Sequence, residues 1–390
     1  MRALFVSGRC LLLLVALGLA CEPAGARPGP TSPPPPPPST APTALFTVAP
    51  PTASVSVVVP EGPPPQPEVA EPTKPSPLAR GTGTPADAKL KEGDELFDAG
   101  KFKEAEAAYR KAITLAPNDP APIVGAVRAR LAKDEVPVDF GAGKSNKTLA
   151  ASIAELRRAL KLDADTYAPV HLELGRALLV QGKADLALEA LRKAVEIDPS
   201  EAEAQSALGV GLLAIGDKKA AVAALVRAAE LEPRSPSRHS NAGTALMASG
   251  EVAAAIKAYE RALRLAPNDP GTLSDLGTAF LASNDVDAAL THLQKAVRLA
   301  PQNAAIVSNL GYAHRMKGDL AKAEESFEAA IKLDPELVSA WVNLGSVQAI
   351  RGDYAKARAS LEKARAIDAD DPRVVANLAE LDELEKVPKK

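Results

Sequence analysis

The chain has 390 residues, a formal net charge of −3 and only 3% aromatic residues. This near-neutral balance, with no long Lys/Arg run, argues against nucleic acid as the main partner, because phosphate binding needs a concentrated basic face. Both cysteines, Cys10 and Cys21, fall within the first 21 residues, which excludes a disulfide framework or a cysteine metal site in the rest of the chain.

At the start of the chain, Arg2 and Arg9 precede an apolar run from Leu11 to Ala20. A membrane-spanning helix takes about 20 apolar residues, so residues 1–21 read as an export signal rather than an anchor. Two cleavage points compete. Gly18-Leu19-Ala20-Cys21 resembles the box before the lipid-modified cysteine of bacterial lipoproteins, although Gly18 stands where that family prefers Leu. Ala24-Gly25-Ala26 suits an ordinary signal peptidase. Lipidation at Cys21 is the expectation, with cleavage after Ala26 the alternative. Residues 22–85 hold 21 of the chain's 35 prolines, including the block from Pro33 to Pro38. Proline fixes φ and lacks an amide donor, so a disordered, largely extended tether is expected here, a spacer between a membrane and the folded part.

From residue 86 onward the sequence has a period. Pro199, Pro233, Pro267, Pro301 and Pro335 are each 34 residues apart. Gly175, Gly209, Gly243, Gly277, Gly311 and Gly345 keep the same spacing, as do Ala187 to Ala357 and Ala194 to Ala364. A fixed period of this length marks a stacked repeat array. In residues 236–269, Ala242, Ala245 and Leu246 make one helical face and Ile256, Tyr259, Ala262, Leu263 and Leu265 a second. Ser249-Gly250 is the turn between them, and Glu251 places a negative charge near the start of the second helix. Pro267 closes that helix and Asn268-Asp269-Pro270 opens the next. Gly243 and Ala255 let the paired helices approach, Ala262 lets the next unit stack, and Tyr259 fills the space left.

Gly at the eighth position, Ala at the twentieth, an aromatic or Leu at the twenty-fourth, Ala at the twenty-seventh and Pro at the thirty-second resemble the tetratricopeptide repeat (TPR). Trp341 and Leu344-Gly345 extend the match in residues 338–369, and the resemblance covers roughly 86–369. It implies an all-α fold: a right-handed superhelical solenoid of about eight helix-turn-helix repeats. Units begin at 86 and 120, then regularly at 168, 202, 236, 270, 304 and 338, so the repeats run over 86–371. The second unit carries roughly 13 extra residues, with an insertion near 136–148 expected to be a flexible loop, and Val127 replaces its glycine. Residues 372–390 are expected to supply a capping helix, at 372–386, and a tail, since terminal repeats need a more polar outer face.

Chemistry finds little support. VDFGAGKS (138–145) has Val138 where a phosphate-binding loop needs its first glycine, and no strand precedes it. Its Asp139-Phe140-Gly141 matches a kinase motif by three letters only. His171, His239, His292 and His314 form no metal-binding spacing; three of them fall on first helices, where ordinary polar positions are expected. No catalytic residue, metal or cofactor is expected, nor a small-molecule substrate. A more informative row is Asn241, Asp275, Asn309, Asn343 and Asn377, again at the 34-residue spacing. The resemblance places first helices on the concave face, where an asparagine here contacts the backbone of an extended bound peptide; a primary amide both donates and accepts. By the same carry-over Tyr312, Arg315, Met316, Ser308, Ser346 and Thr244 border the groove. Glu173 and Ala207 interrupt the row, so binding is expected to concentrate in the C-terminal half. The expected function is that of a non-enzymatic scaffold, exported and membrane-anchored at the bacterial cell envelope and facing the periplasm, that holds a protein or peptide ligand in the groove and assists assembly or biogenesis there. The alternatives are a self-associating structural protein or an accessory subunit of an envelope enzyme complex.

Overall fold

The computed structural model describes residues 76–138, 140–163 and 165–386. The expected signal, Cys21, Asp139 and the tether up to residue 75 lie outside them. The described residues form helices and no strands: α1 (Pro85–Asp98), α2 (Phe102–Leu115), α3 (Ala121–Lys133), α4 (Lys147–Leu160), α5 (Ala168–Val180), α6 (Ala184–Ile197), α7 (Ala202–Ala214), α8 (Lys218–Leu231) and α9 (Pro236–Ser249). They continue as α10 (Val252–Leu265), α11 (Pro270–Ala282), α12 (Val286–Leu299), α13 (Ala304–Lys317), α14 (Leu320–Leu333), α15 (Val338–Ile350), α16 (Tyr354–Ile367) and α17 (Pro372–Lys386). From α5 to α16 each odd-numbered helix pairs with the even-numbered one after it, as α1 does with α2, and the pairs stack in chain order with α17 last.

Local signals set the helix ends. Ser235, Asp269 and Asn303 cap α9, α11 and α13 by accepting an amide three residues on. Pro236 and Pro270 occupy first-turn positions, where their missing N–H costs nothing. The turn inside a pair needs a left-handed residue. Gly250 and Gly318 take φ of 87° and 85°, and in the α11–α12 pair Asn284 takes the role at 63°.

One contact repeats in every regular pair. A large residue on the second helix lies against a glycine on the first, sixteen positions earlier: Tyr109 on Gly93, Leu191 on Gly175, Leu225 on Gly209, Tyr259 on Gly243, Leu293 on Gly277, Phe327 on Gly311 and Leu361 on Gly345. A Cβ added at these glycines would come within 2.4 to 2.9 Å of that side chain. All seven large residues are buried, as are the alanines of both ladders. Burying such a side chain is worth about 1.5–3 kcal/mol, and the glycine makes the burial sterically available.

The second unit departs from this pattern. Val127 stands at the glycine position, and α3 instead presents Gly125 to Tyr109, which is therefore held between Gly93 and Gly125. As a result α3 is packed more extensively on α2 than on its own partner α4. The extra residues are divided between 134–146, before α4, and 161–167, after it. The expected flexible loop is in fact tied down. The amides of Gly141 and Gly143 donate to the carbonyls of Leu179 and Val180 at 3.0 and 2.9 Å. At this end of α5 the Leu179 carbonyl also accepts the Gly182 amide at 2.9 Å, and the glycine-rich turn supplies the Val180 carbonyl with its partner. Two of the glycine amides in the phosphate-loop look-alike are thereby engaged.

At the C-terminal end, α17 covers α15 and α16 with Val374, Leu378 and Leu381, all buried. Arg358 on α16 forks onto Asp382 and Glu385 at 2.5 and 2.7 Å. At the other end, residues 76–84, expected as the last part of the tether, lie against the first helices, with Leu78 buried in the core.

Gly311→Leu tests the repeated contact. It is expected to force Phe327 from its place and to cost about 1–3 kcal/mol, as overpacking does, read as a lower denaturant midpoint for the variant; an unchanged midpoint would contradict this packing.

Candidate functional site: the inner face of the first helices

Successive first helices, from α1 to α17, touch along the whole stack, whereas second helices make no comparable contact with one another. The stack therefore curves with its first helices inside, and side chains projecting from them line one continuous inner face.

The asparagine row falls on α9, α11, α13, α15 and α17, one residue per first helix. Its members differ in availability. Asn241 is buried, while Asp275, Asn309, Asn343 and Asn377 are half-buried. The Asn309 amide donates to Ser274 Oγ on α11 at 3.0 Å, so it also stitches neighbouring first helices together. Tyr312 and Arg315, both half-buried, form one feature: the Arg315 guanidinium lies 4.7 Å from the centre of the Tyr312 ring. Met316 beside them is exposed. Thr244, Ser308 and Ser346, expected to border a groove, are instead buried. Thr244 accepts from the Tyr259 hydroxyl at 3.1 Å and donates to the Ser240 carbonyl, and Ser346 donates to the Val342 carbonyl. Position in the repeat alone does not distinguish a residue facing a ligand from one facing the next turn.

In the N-terminal half, charges replace amides. Arg128 on α3 meets Glu173 on α5 at 2.6 Å, with both side chains under 10% exposed. Arg176 reaches Glu173 and Glu203, and Arg238 on α9 closes the row onto Glu203 at 2.6 Å and Glu232 at 2.9 Å. Burial works to raise the Glu203 carboxyl, but Arg176 and Arg238 overcome it and draw the group down to about 2. Glu203 therefore stays ionised at any physiological pH. Sequence reading missed the row, since its partners stand 35 and 45 residues apart; the available signal was the presence of Glu173 and Glu203 on the largely apolar α5 and α7.

The histidines have structural surroundings. His239 Nε2 lies 2.9 Å from the Pro233 carbonyl. At the same repeat position Trp341 Nε1 donates to the Pro335 carbonyl at 2.9 Å and Gln205 Nε2 to that of Pro199 at 3.4 Å. This position fastens a first helix to the turn before it. Burial holds His239 below its ordinary pKa. His292 stacks on Phe280, while His171 and His314 are buried. No group of three or more metal-ligating side chains gathers among the described residues, and no helix there is long and apolar enough to cross a membrane.

Sequence models described as tetratricopeptide repeat match residues 86–119, 143–202, 237–302, 274–338 and 317–372, together more than half of the chain. No curated protein matches the sequence. Among solved structures, the chain resembles the APC/C hetero-tetramer Cut9-Hcn1 at 20% identity and a TM-score of 0.55, over 77% of this chain and 57% of that one. It thus spans little more than half the length of that relative, and the likeness is one of fold. It also resembles pilF of Pseudomonas aeruginosa (20% identity, TM-score 0.46, 55% of this chain and 97% of that one). A third similar structure is YrrB, a TPR protein with an unusual peptide-binding site (25% identity, TM-score 0.37, 49% and 99%).

Asp275 gives the inner face a pH dependence. Burial, with Asp269 nearby, raises its carboxyl to about 7. An unfolded aspartate titrates near 4, so the folded chain binds the extra proton between about pH 4 and 7, and stability falls as pH rises through that window. Asp275→Asn should be more stable than the parent at pH 8, by on the order of 1 kcal/mol once solvent screening is allowed for, and indistinguishable near pH 4. Denaturant unfolding at the two pH values checks this.

Proposed function

The chain belongs to the tetratricopeptide-repeat family, and from that premise we propose that it is a non-enzymatic scaffold that holds an extended partner segment on the inner face of α9 to α17. The observation that carries this reading is the row of half-buried amides at Asn309, Asn343 and Asn377, one per first helix, beside the paired Tyr312 and Arg315. Amides at the repeat period grip a peptide backbone whatever its side chains, while the exposed Met316 and the Tyr312 ring offer apolar contact. The stacked helices account for nearly every described residue, which fits a binding surface better than a catalytic domain.

The setting completes the proposal. An export signal, lipidation at Cys21 and a proline-rich tether would hold the solenoid off a membrane at the bacterial envelope, facing the periplasm, where it would assist assembly of a larger machine such as a pilus or secretion system. Support for this part is the order of the segments in the sequence.

The test compares crosslinked partners recovered from envelope fractions by the wild type and by the Asn309→Ala, Asn343→Ala, Asn377→Ala variant. Asn241 is left in place because it is buried. A partner recovered by the wild type and reduced at least tenfold with a folded variant supports the amide row. Equal recovery by both overturns it. Incorporation of labelled palmitate that disappears in Cys21→Ala supports the anchor, and incorporation unchanged in that variant overturns it.

A further inference from the structure

The N-terminal half of the inner face already holds an extended segment, and that segment belongs to the chain itself. Residues 76–80, Ser-Pro-Leu-Ala-Arg, run from the start of α7 back to α1. Their main chain is gripped as a ligand's would be. The amides of Leu78 and Ala79 donate to Asp94 Oδ2 at 2.8 and 2.9 Å, and Arg128 Nη1 donates to the Ser76 carbonyl at 3.1 Å. Side chains add selectivity. Leu78 is buried, and the Ser76 hydroxyl donates to Glu201 at 2.7 Å. The Arg80 guanidinium forks onto Asp119 at 3.3 and 3.1 Å and lies 5.1 Å from the centre of the Tyr167 ring.

The grips come from α1, where Asp94 takes the Leu78 and Ala79 amides and Asp87 that of Arg80 at 2.6 Å, and also from α3 and the cap of α7, beyond the helix that follows the segment. Asp94 is itself fixed by the Tyr109 hydroxyl, at 2.8 Å, and Arg128 by Glu173. These groups are held in place by the fold and do not depend on the segment for their position. Between the segment and α1, residues 81–84 read Gly-Thr-Gly-Thr and are exposed, with left-handed φ at Gly81 and Gly83. Thr84 caps α1 and the Thr82 amide donates to Asp87 at 2.9 Å, so the hinge composition lies in Gly81 and Gly83 on either side of Thr82.

We propose that the inner face from α1 to the start of α7 is a second peptide cleft, separate from the amide row, and that residues 76–80 are its resident and displaceable occupant. It would admit in trans an extended partner segment of the same chemistry: a leucine-sized apolar residue followed two positions later by arginine. A short tether presents its own ligand at an effective concentration on the order of millimolar, so the cleft is closed to weak partners until residues 76–80 are drawn away.

The probe is a fluorescent synthetic peptide with the sequence of residues 76–81, added to the full-length chain carrying a protease recognition sequence inserted after Gly81. Uncut protein is expected to bind it weakly. After cutting, affinity rises at least tenfold, excess peptide releases the N-terminal fragment, and a peptide with Asp in place of Leu does neither. A full chain with Leu78→Asp and Arg80→Asp, its helix content checked by circular dichroism, should take up the peptide without any cut. Binding to no form, or equal binding to cut and uncut protein, overturns the proposal, as does a fragment that excess peptide cannot release. The Asn309, Asn343 and Asn377 variant should keep this behaviour, so failure of the amide-row reading and failure of this one are told apart.

Discussion

A glycine has no side chain to hold a neighbouring helix away, and in this solenoid that vacancy is filled by one large residue from the partner helix. Every regular pair relies on it, from Tyr109 on Gly93 to Leu361 on Gly345. The consequence reaches beyond the pair. Close approach within a pair fixes where both helices point, the buried alanines fix how the next pair stacks, and the contacts between successive first helices give the curvature that makes an inner face. Stability in such an array is a sum of local terms and nearest-neighbour interfaces, so the large-on-glycine contact is the unit from which the binding surface is assembled.

The second unit illustrates what happens when the contact moves. With Val127 at the glycine position, α3 offers Gly125 to Tyr109 and becomes part of a tight group with α1 and α2. Its partner α4 buries Leu149, Ile153 and Leu156 in the same core and is joined by charge as well: Arg130 on α3 reaches both Glu106 on α2 and Glu155 on α4, at 3.1 and 2.8 Å. The longer turns at 134–146 and 161–167 accommodate this arrangement. Tyr167, at the end of the second of these turns, then packs on the N-terminal core and meets Arg80. The irregular repeat thus helps to shape the place where residues 76–80 sit.

The helix pairs, their period and the residues at their interfaces were legible in the sequence because each depends on contacts within about one repeat. Gly243, Ala255, Tyr259 and Ala262 carry the same instruction wherever they recur. The inner face was less legible. Its Arg128–Glu173 and Glu203–Arg238 pairs join residues on different helices, and a 34-residue pattern holds no information about pairs that occur once. The same holds for Thr244, Ser308 and Ser346, which belong to the polar side of a helix by spacing and yet are buried. The docking of residues 76–80 left no periodic trace, because a proline-rich composition conceals a short leucine-and-arginine segment whose partners lie on α1, α3 and the cap of α7.

The most direct measurement is a double-mutant cycle on one regular pair, Gly277 and Leu293, by chemical unfolding. Leu293→Ala alone should cost about 2–5 kcal/mol by leaving a cavity, and Gly277→Leu alone about 1–3 kcal/mol by overfilling the same space. If the two side chains compete for one site, the double variant will be more stable than the sum of the single losses, with a coupling of 0.5–3 kcal/mol. Simple additivity would mean that glycine and leucine act independently, and the account of how the helix pairs are held would fail.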